Sequence, residues 1–199
     1  VDVGTGPGTA GGNTRVGYDA LSSLTTGNSN TALGTRSGES TTYYHSNTYV
    51  GSYAGLNAEG DDNTAVGRSA LYSDINLASN NSWNTAIGAY SLYSITTGDN
   101  NTAVGRSAGQ TLTTGSDNIM IGSQAYPSSA TASHEITLGN GEDKSFRIPG
   151  SSFYINGGSE GTTGTKVGIN ISSPAAQLHV SGNVLIDSDL TVNRYISSS

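Results

Sequence analysis

The sequence predicts an all-β fold, a parallel β-roll or solenoid of about seven coils, on three observations. A five-residue core of the form Asn-Thr-Ala-Val-Gly recurs at a spacing near 17 residues. Each copy places a branched apolar residue directly before glycine. No window of useful length carries apolar residues at i, i+3, i+4 and i+7, and glycine and asparagine in every unit would break a helix.

Seven segments carry the core. They begin at Asn13, Asn30, Asn47, Asn63, Asn84, Asn101 and Asn118, at successive intervals of 17, 17, 16, 21, 17 and 17 residues. The stretch from Asn63 to Ala70 recurs unchanged from Asn101 to Ala108. The defining positions of four well-kept units are Asn30 and Gly34, then Asn63, Val66 and Gly67, then Asn84, Ile87 and Gly88, then Asn101, Val104 and Gly105. The branched residue suits a strand with one buried face. The residue before it, most often Ala, points to the opposite face and implies a close approach there. Glycine turns the corner, where positive φ is cheap. Asparagine suits a turn, where its amide can bond local backbone or stack in a ladder. Each unit then reads as strand, Gly corner, second short strand and turn, the last often Thr-Thr-Gly. With coils about 4.8 Å apart, seven of them make a rod segment of roughly 30 Å.

Composition agrees. The chain has 199 residues, of which 33% are hydrophobic and 12% charged, with 28 glycines and a net charge of −7. A single chain of this make-up has a thin core, which stacked coils and association of three chains both enlarge. The absence of cysteine excludes disulfides and thiolate metal sites. A pI near 4.6 without any Lys/Arg cluster argues against nucleic acid as a partner. No apolar run is long enough for a membrane-spanning helix, so membrane insertion is not expected. The chain opens at Val1 without a charged-then-apolar leader, and is expected to be part of something longer.

The organisation expected is a Gly-rich lead-in over 1–12, the roll over 13–126, transition strands over 127–150, and a β neck or shaft over 151–199. That last stretch alternates apolar and polar residues, as at Leu178, Val180, Val184, Ile186, Leu190 and Val192. Intertwining of its strands would hide their edges.

The Asn-Thr-Ala-Val/Ile-Gly repeat resembles the YadA-like head of trimeric autotransporter adhesins, and resembles still more the version in tail fibres of phages and large algal viruses. The resemblance covers residues 13–126. It implies a left-handed parallel β-roll in a homotrimer, with Ala32, Ala65, Ala86 and Ala103 facing the three-fold axis and the Val/Ile positions filling each roll. Arg15 and Tyr49 depart from the Ala column. The segments Glu135–Asn140 and Phe146–Gly150 look like the stretch that closes such rolls. Val167–Asn170 and Ser173–Gly182 resemble a segment that precedes an endosialidase-type intramolecular chaperone in phage fibres. The function implied is a structural and host-receptor-binding segment of a virion tail fibre, extracellular, without enzymatic activity. Its partners would be two further copies of itself, other tail or baseplate proteins, and a host cell-surface glycan or protein. A bacterial adhesin head, a tailspike polysaccharide depolymerase and a purely architectural fibre are the alternatives.

Candidate sites are few. Tyr43, Tyr44, His45 and Trp83, the only tryptophan, could form stacking platforms for a receptor sugar, or could pack between chains. Glu59, Asp61 and Asp62 cluster in one turn, which suits a carboxylate pair, a Ca²⁺ site or a solvated turn. His179 would form a ring of three in a trimer, able to hold a transition metal or simply to pack. The Thr column, Thr14 to Thr102, has the regularity of an ice-binding array but is expected to face inward beside the Val column. Gly164-Thr165-Lys166 lacks the spacing of a phosphate loop. No cofactor is expected.

Overall fold

A computed structural model describes residues 3–4, 11–73, 80–140, 167–169 and 178–180. Among them the chain is all-β. After β1 (Val3–Gly4), eight short parallel strands follow: β2 (Thr14–Val16), β3 (Thr31–Leu33), β4 (Thr48–Val50), β5 (Thr64–Val66), β6 (Thr85–Ile87), β7 (Thr102–Val104), β8 (Ile119–Ile121) and β9 (Ile136–Leu138). They stack in chain order into one sheet, in a register that sets Thr on Thr and the branched column on itself. The chain is therefore a β-solenoid of about seven turns. The sheet runs past residue 126 into β9, and β1, inside the Gly-rich lead-in, closes its first edge by pairing antiparallel with β2. Residues 146–199 form a separate compact unit, in which β10 (Val167–Ile169) and β11 (Leu178–Val180) pair in parallel. The remainder of the expected neck, the Phe146–Gly150 stretch and Gly164–Lys166 lie outside the described residues.

Each coil has one strand, not two. Past the glycine corner, residues alternate into left-handed backbone: Asp19, Leu21, Arg36, Tyr53, Ser69, Leu71, Tyr90 and Leu92 all have φ between 46° and 62°. An extended second strand cannot form through such residues. The turns still stack in register. Arg36, Tyr53, Ser69 and Tyr90 each donate their N–H to a carbonyl one coil back, at 2.7 to 3.0 Å.

The asparagines hold the stack. Asn13, Asn30, Asn47, Asn63, Asn84 and Asn101 each accept the main-chain N–H of the next asparagine on Oδ1, at 2.9 to 3.1 Å. Their Nδ2 groups donate to a carbonyl three residues before the next asparagine, as from Asn84 to Gly98 at 2.9 Å. All are buried. At the last coil Glu135 stands in the asparagine position: its N–H still donates to Asn118 Oδ1, while its carboxylate turns back to accept from Ser128.

The glycine corner is fixed by contact. A Cβ on Gly67 (φ 134°) would lie 2.6 Å from the Gly88 carbonyl carbon one coil on, and Gly17, Gly34, Gly51, Gly88 and Gly105 meet the same obstacle.

The inside of the roll reverses one expectation. The middle residue of each strand faces the interior: Ala32, Ala65, Ala86 and Ala103 are fully buried within the single chain and do not face an external axis. The branched column faces out, with Leu33, Ile87 and Ile121 41–47% exposed. Thr and Val share a face, as strand alternation requires, but that face is the outer one. Leu21, Leu71 and Leu92 are buried in the same interior cluster as these alanines.

The two large departures from Ala obey the same volume rule. Tyr49 is fully buried, and the positions that carry leucine elsewhere are Gly38 and Gly55 beside it. A Cβ on Gly55 would lie 2.3 Å from the Tyr49 ring. Met120 likewise fills the space over Gly109. Arg15 enters the first coil, at the end of the stack, where the column is only half-buried.

Two outcomes follow. Replacing Asn84 with Ala strands the Asn101 N–H and the Gly98 carbonyl in the interior, and urea unfolding is expected to show a loss of about 2–4 kcal/mol. Burial pushes the Tyr49 phenol well above its usual value of 10.0, with the Thr41 hydroxyl opposing. The neutral phenol is thus the folded form, so its contribution is complete below pH ~10 and is lost as pH rises above it, by up to about 1.4 kcal/mol per pH unit. Tyr49→Phe is expected to flatten this alkaline loss, and Tyr49→Ala to cost about 3–5 kcal/mol at neutral pH through the cavity it leaves.

Candidate functional site

The candidate residues lie on the corner that leads into each strand, one to four residues before the asparagine. Corner residues there take left-handed backbone: Ser46, Asp62, Trp83, Asn100, Asp117 and His134 have φ between 56° and 60°. This conformation throws their side chains outward, and all six are exposed. Trp83, 57% exposed, stands here with its main-chain N–H donated to the Asp61 carbonyl at 3.0 Å.

The position before it forms a second ladder. The Asn28 N–H donates to His45 Nδ1 at 3.1 Å, and the His45 N–H to Asp61 Oδ1 at 2.6 Å. Asp61, Ser82 and Asp99 continue the series, each offering its N–H to the side-chain oxygen one coil on: Ser82 Oγ, Asp99 Oδ1 and Ser116 Oγ. An acceptor side chain is all the ladder asks, so His, Asp and Ser serve equally. That is why neither the lone histidine nor the acidic turn marks a site by itself.

His45 and Asp61 are thereby committed to the scaffold, at least through one atom each. Tyr43 is 62% exposed, and Tyr44 is half-buried with its carbonyl accepting from Asn30 Nδ2 at 2.8 Å. Burial and the carboxylates of Glu59 and Asp61 push the Tyr44 phenol up. Tyr43, Tyr44 and His45 sit two coils before Trp83 along one ridge, about 9.5 Å by the strand spacing, with Asp61 and Asp62 between them. The four aromatic candidates and the acidic run are therefore parts of one surface. The four additional residues of the long repeat fall among residues 74–79, outside those described.

Among the described residues no three His, Cys, Asp or Glu side chains gather closely enough to hold a metal, and no helix is long and apolar enough to cross a membrane. The side chain of His179 lies outside the described residues.

Beyond the opposite end of each strand lies a surface that sequence reasoning missed. Arg36, Arg68 and Arg106 all follow the glycine corner. Arg36 forms an ion pair with Glu39 and covers the Tyr53 ring; Arg68 covers Tyr90, 4.4 Å from its centroid; Tyr72 stacks on Tyr93 at 4.8 Å. The signal was the recurrence of arginine one or two residues after a glycine corner, which shows as a cluster with the tyrosines only when coils are laid on top of one another.

The outer sheet face joins the two corners. Its Thr column, expected inward, is outward and ends at Thr102, since Ile119 and Ile136 take the next two places. Ile136 is 68% exposed. An ice-binding array would continue as threonine; this face instead becomes wholly apolar towards β9, as a face covered by protein does.

Comparison with known proteins finds no family, no curated protein and no solved structure that matches the chain.

If Asp61 acts as a rung, Asp61→Asn, which keeps an acceptor oxygen, should leave thermal stability nearly unchanged, whereas Asp61→Ala should cost about 1–2 kcal/mol. Equal effects from the two would assign the acidic turn to solvent.

Proposed function

We propose that this chain is a structural and host-receptor-binding segment of a virion tail fibre, in which three copies run side by side about one axis. One observation carries the reading: the rod leaves a continuous strand face uncovered, with Leu33, Ile87, Ile121, Ile136 and Leu138 all exposed. Exposed apolar surface of this extent and regularity is the mark of a surface that another protein covers. Three rods with these faces turned inward bury it from end to end. The axis is then lined by the Thr and Val/Ile columns, not by alanine, which fills each roll. The left-handed roll implied by the repeat, its placement on a virion exterior, and contact with other tail or baseplate proteins at the rod's ends belong to the same proposal.

The receptor contacts fall on the ridge bearing Tyr43, Tyr44 and Trp83, whose rings offer apolar area at little entropic cost. Three copies repeat that ridge around the fibre, so contacts weak one at a time add up to firm adhesion. The ligand is a host cell-surface glycan or protein, and the chain binds without catalysing a reaction or needing a cofactor. A bacterial trimeric adhesin head would use the same rod and the same inward face; the sequence of the full gene separates the two.

Light scattering on the purified chain is expected to give three times 20.2 kDa. A single-chain mass at every concentration would overturn the proposal.

A further inference from the structure

The two corners that flank the apolar face carry opposite charge. On the side leading into the strands stand Asp61, Asp62, Asp99 and Asp117; beyond the glycines, on the other side, stand Arg36, Arg68 and Arg106. The only other arginine of the roll, Arg15, lies within β2, and among the described residues the acids on the basic side are Asp19 and Glu39, in the first two coils.

The coil heights are informative. Asp62 and Arg68 bracket β5, and Asp99, whose Oδ1 also holds the Ser82 N–H in the ladder, and Arg106 bracket β7, so each pair flanks one strand on opposite edges of the face. Across β6, between them, Trp83 faces outward at one edge and Tyr90 lies at the other. Arg36 has no acid at its own height, because Asn28 and Ser29 lead into β3. Among the described residues it is also the arginine that forms an ion pair within its own chain, with Glu39, whereas Arg68 lies over the Tyr90 ring.

We propose that the docking surface is this face with its two charged corners, that its occupant is a second copy of the chain, and that Asp62 of one copy pairs with Arg68 of the next, as Asp99 does with Arg106. This rests on the trimeric reading above and fixes its register. Rotation about an axis parallel to the rod brings the acidic edge of one copy to the basic edge of its neighbour without any shift in height. Asp62 meets Arg68, Trp83 meets Tyr90, and Asp99 meets Arg106. If two rods instead met face to face in opposite directions, about a two-fold axis along the strands, acid would meet acid and arginine would meet arginine. The charges thus select parallel rods and reject antiparallel ones.

The chain has no cysteine, so engineered thiols report the contact directly. Purified full chain carrying Asp62→Cys together with Arg68→Cys is expected to oxidise into a covalent ring of three, seen as a trimer in denaturing electrophoresis. Either substitution alone should give no cross-link. Arg68→Glu should weaken assembly roughly tenfold at low salt, and Asp62→Lys added to it should restore assembly. Circular dichroism of each variant checks that the roll is intact. Dimers from Asp62→Cys alone would show antiparallel rods and overturn the pairing. A trimeric mass with no cross-link from the double variant would overturn the pairing while leaving the trimeric fibre standing; a single-chain mass for the unaltered protein would remove both.

Discussion

Everything in this fold depends on a buried asparagine in each coil that is bonded on both sides of its amide. Oδ1 takes the main-chain N–H of the next asparagine and Nδ2 returns to the carbonyl that ends its own coil. A coil of 17 residues has little apolar matter to bury, so it needs polar groups inside, and those must be satisfied. Asparagine is the side chain with a donor and an acceptor at the spacing the stack presents. Glutamate can stand in its place only at the end, where Glu135 turns its carboxylate to Ser128.

The interior is consequently thin, and large and small side chains share its volume across stacked coils. The Tyr49 ring takes the room left by Gly38 and Gly55, and Met120 the room left by Gly109. This complementarity also decides the outside. A strand of three residues that sends one small side chain inward must send two outward, and in this protein the outward pair is a hydroxyl and a branched hydrocarbon. The uncovered face is thus the cost of a narrow core, and a partner surface is how such a cost is offset.

The two corners divide the remaining work. Left-handed backbone recurs at each, and on the edge leading into the strands it projects exposed side chains that vary from coil to coil: Ser, Asp, Trp, Asn and His. A rigid stack that displays unconstrained side chains at fixed heights suits recognition. In the proposed assembly the same arrangement would give neighbouring copies a register, since equal heights meet under rotation about an axis parallel to the rod.

The sequence by itself determined the repeat, its strand, its glycine corner and the solenoid, because those follow from local demands: alternation along a strand, positive φ at glycine, and an amide that can ladder. It also determined that Thr and Val share a face. Which face that is, only the tertiary structure decided. Alternation is symmetric with respect to in and out, and the choice shows only in the packed roll, where the mid-strand alanines are buried in one cluster with Leu21, Leu71 and Leu92. The second strand read from sequence failed for a related reason: left-handed φ at Leu21, Tyr53 and Tyr90 is imposed by stacking and leaves no mark in residue type. The aromatic and acidic candidates were legible as residues but not as one ridge, and the arginine corner was not legible at all, because residues 17 to 22 apart, such as Arg36 and Tyr53 or Arg68 and Tyr90, become neighbours only when coils lie on one another at the strand spacing.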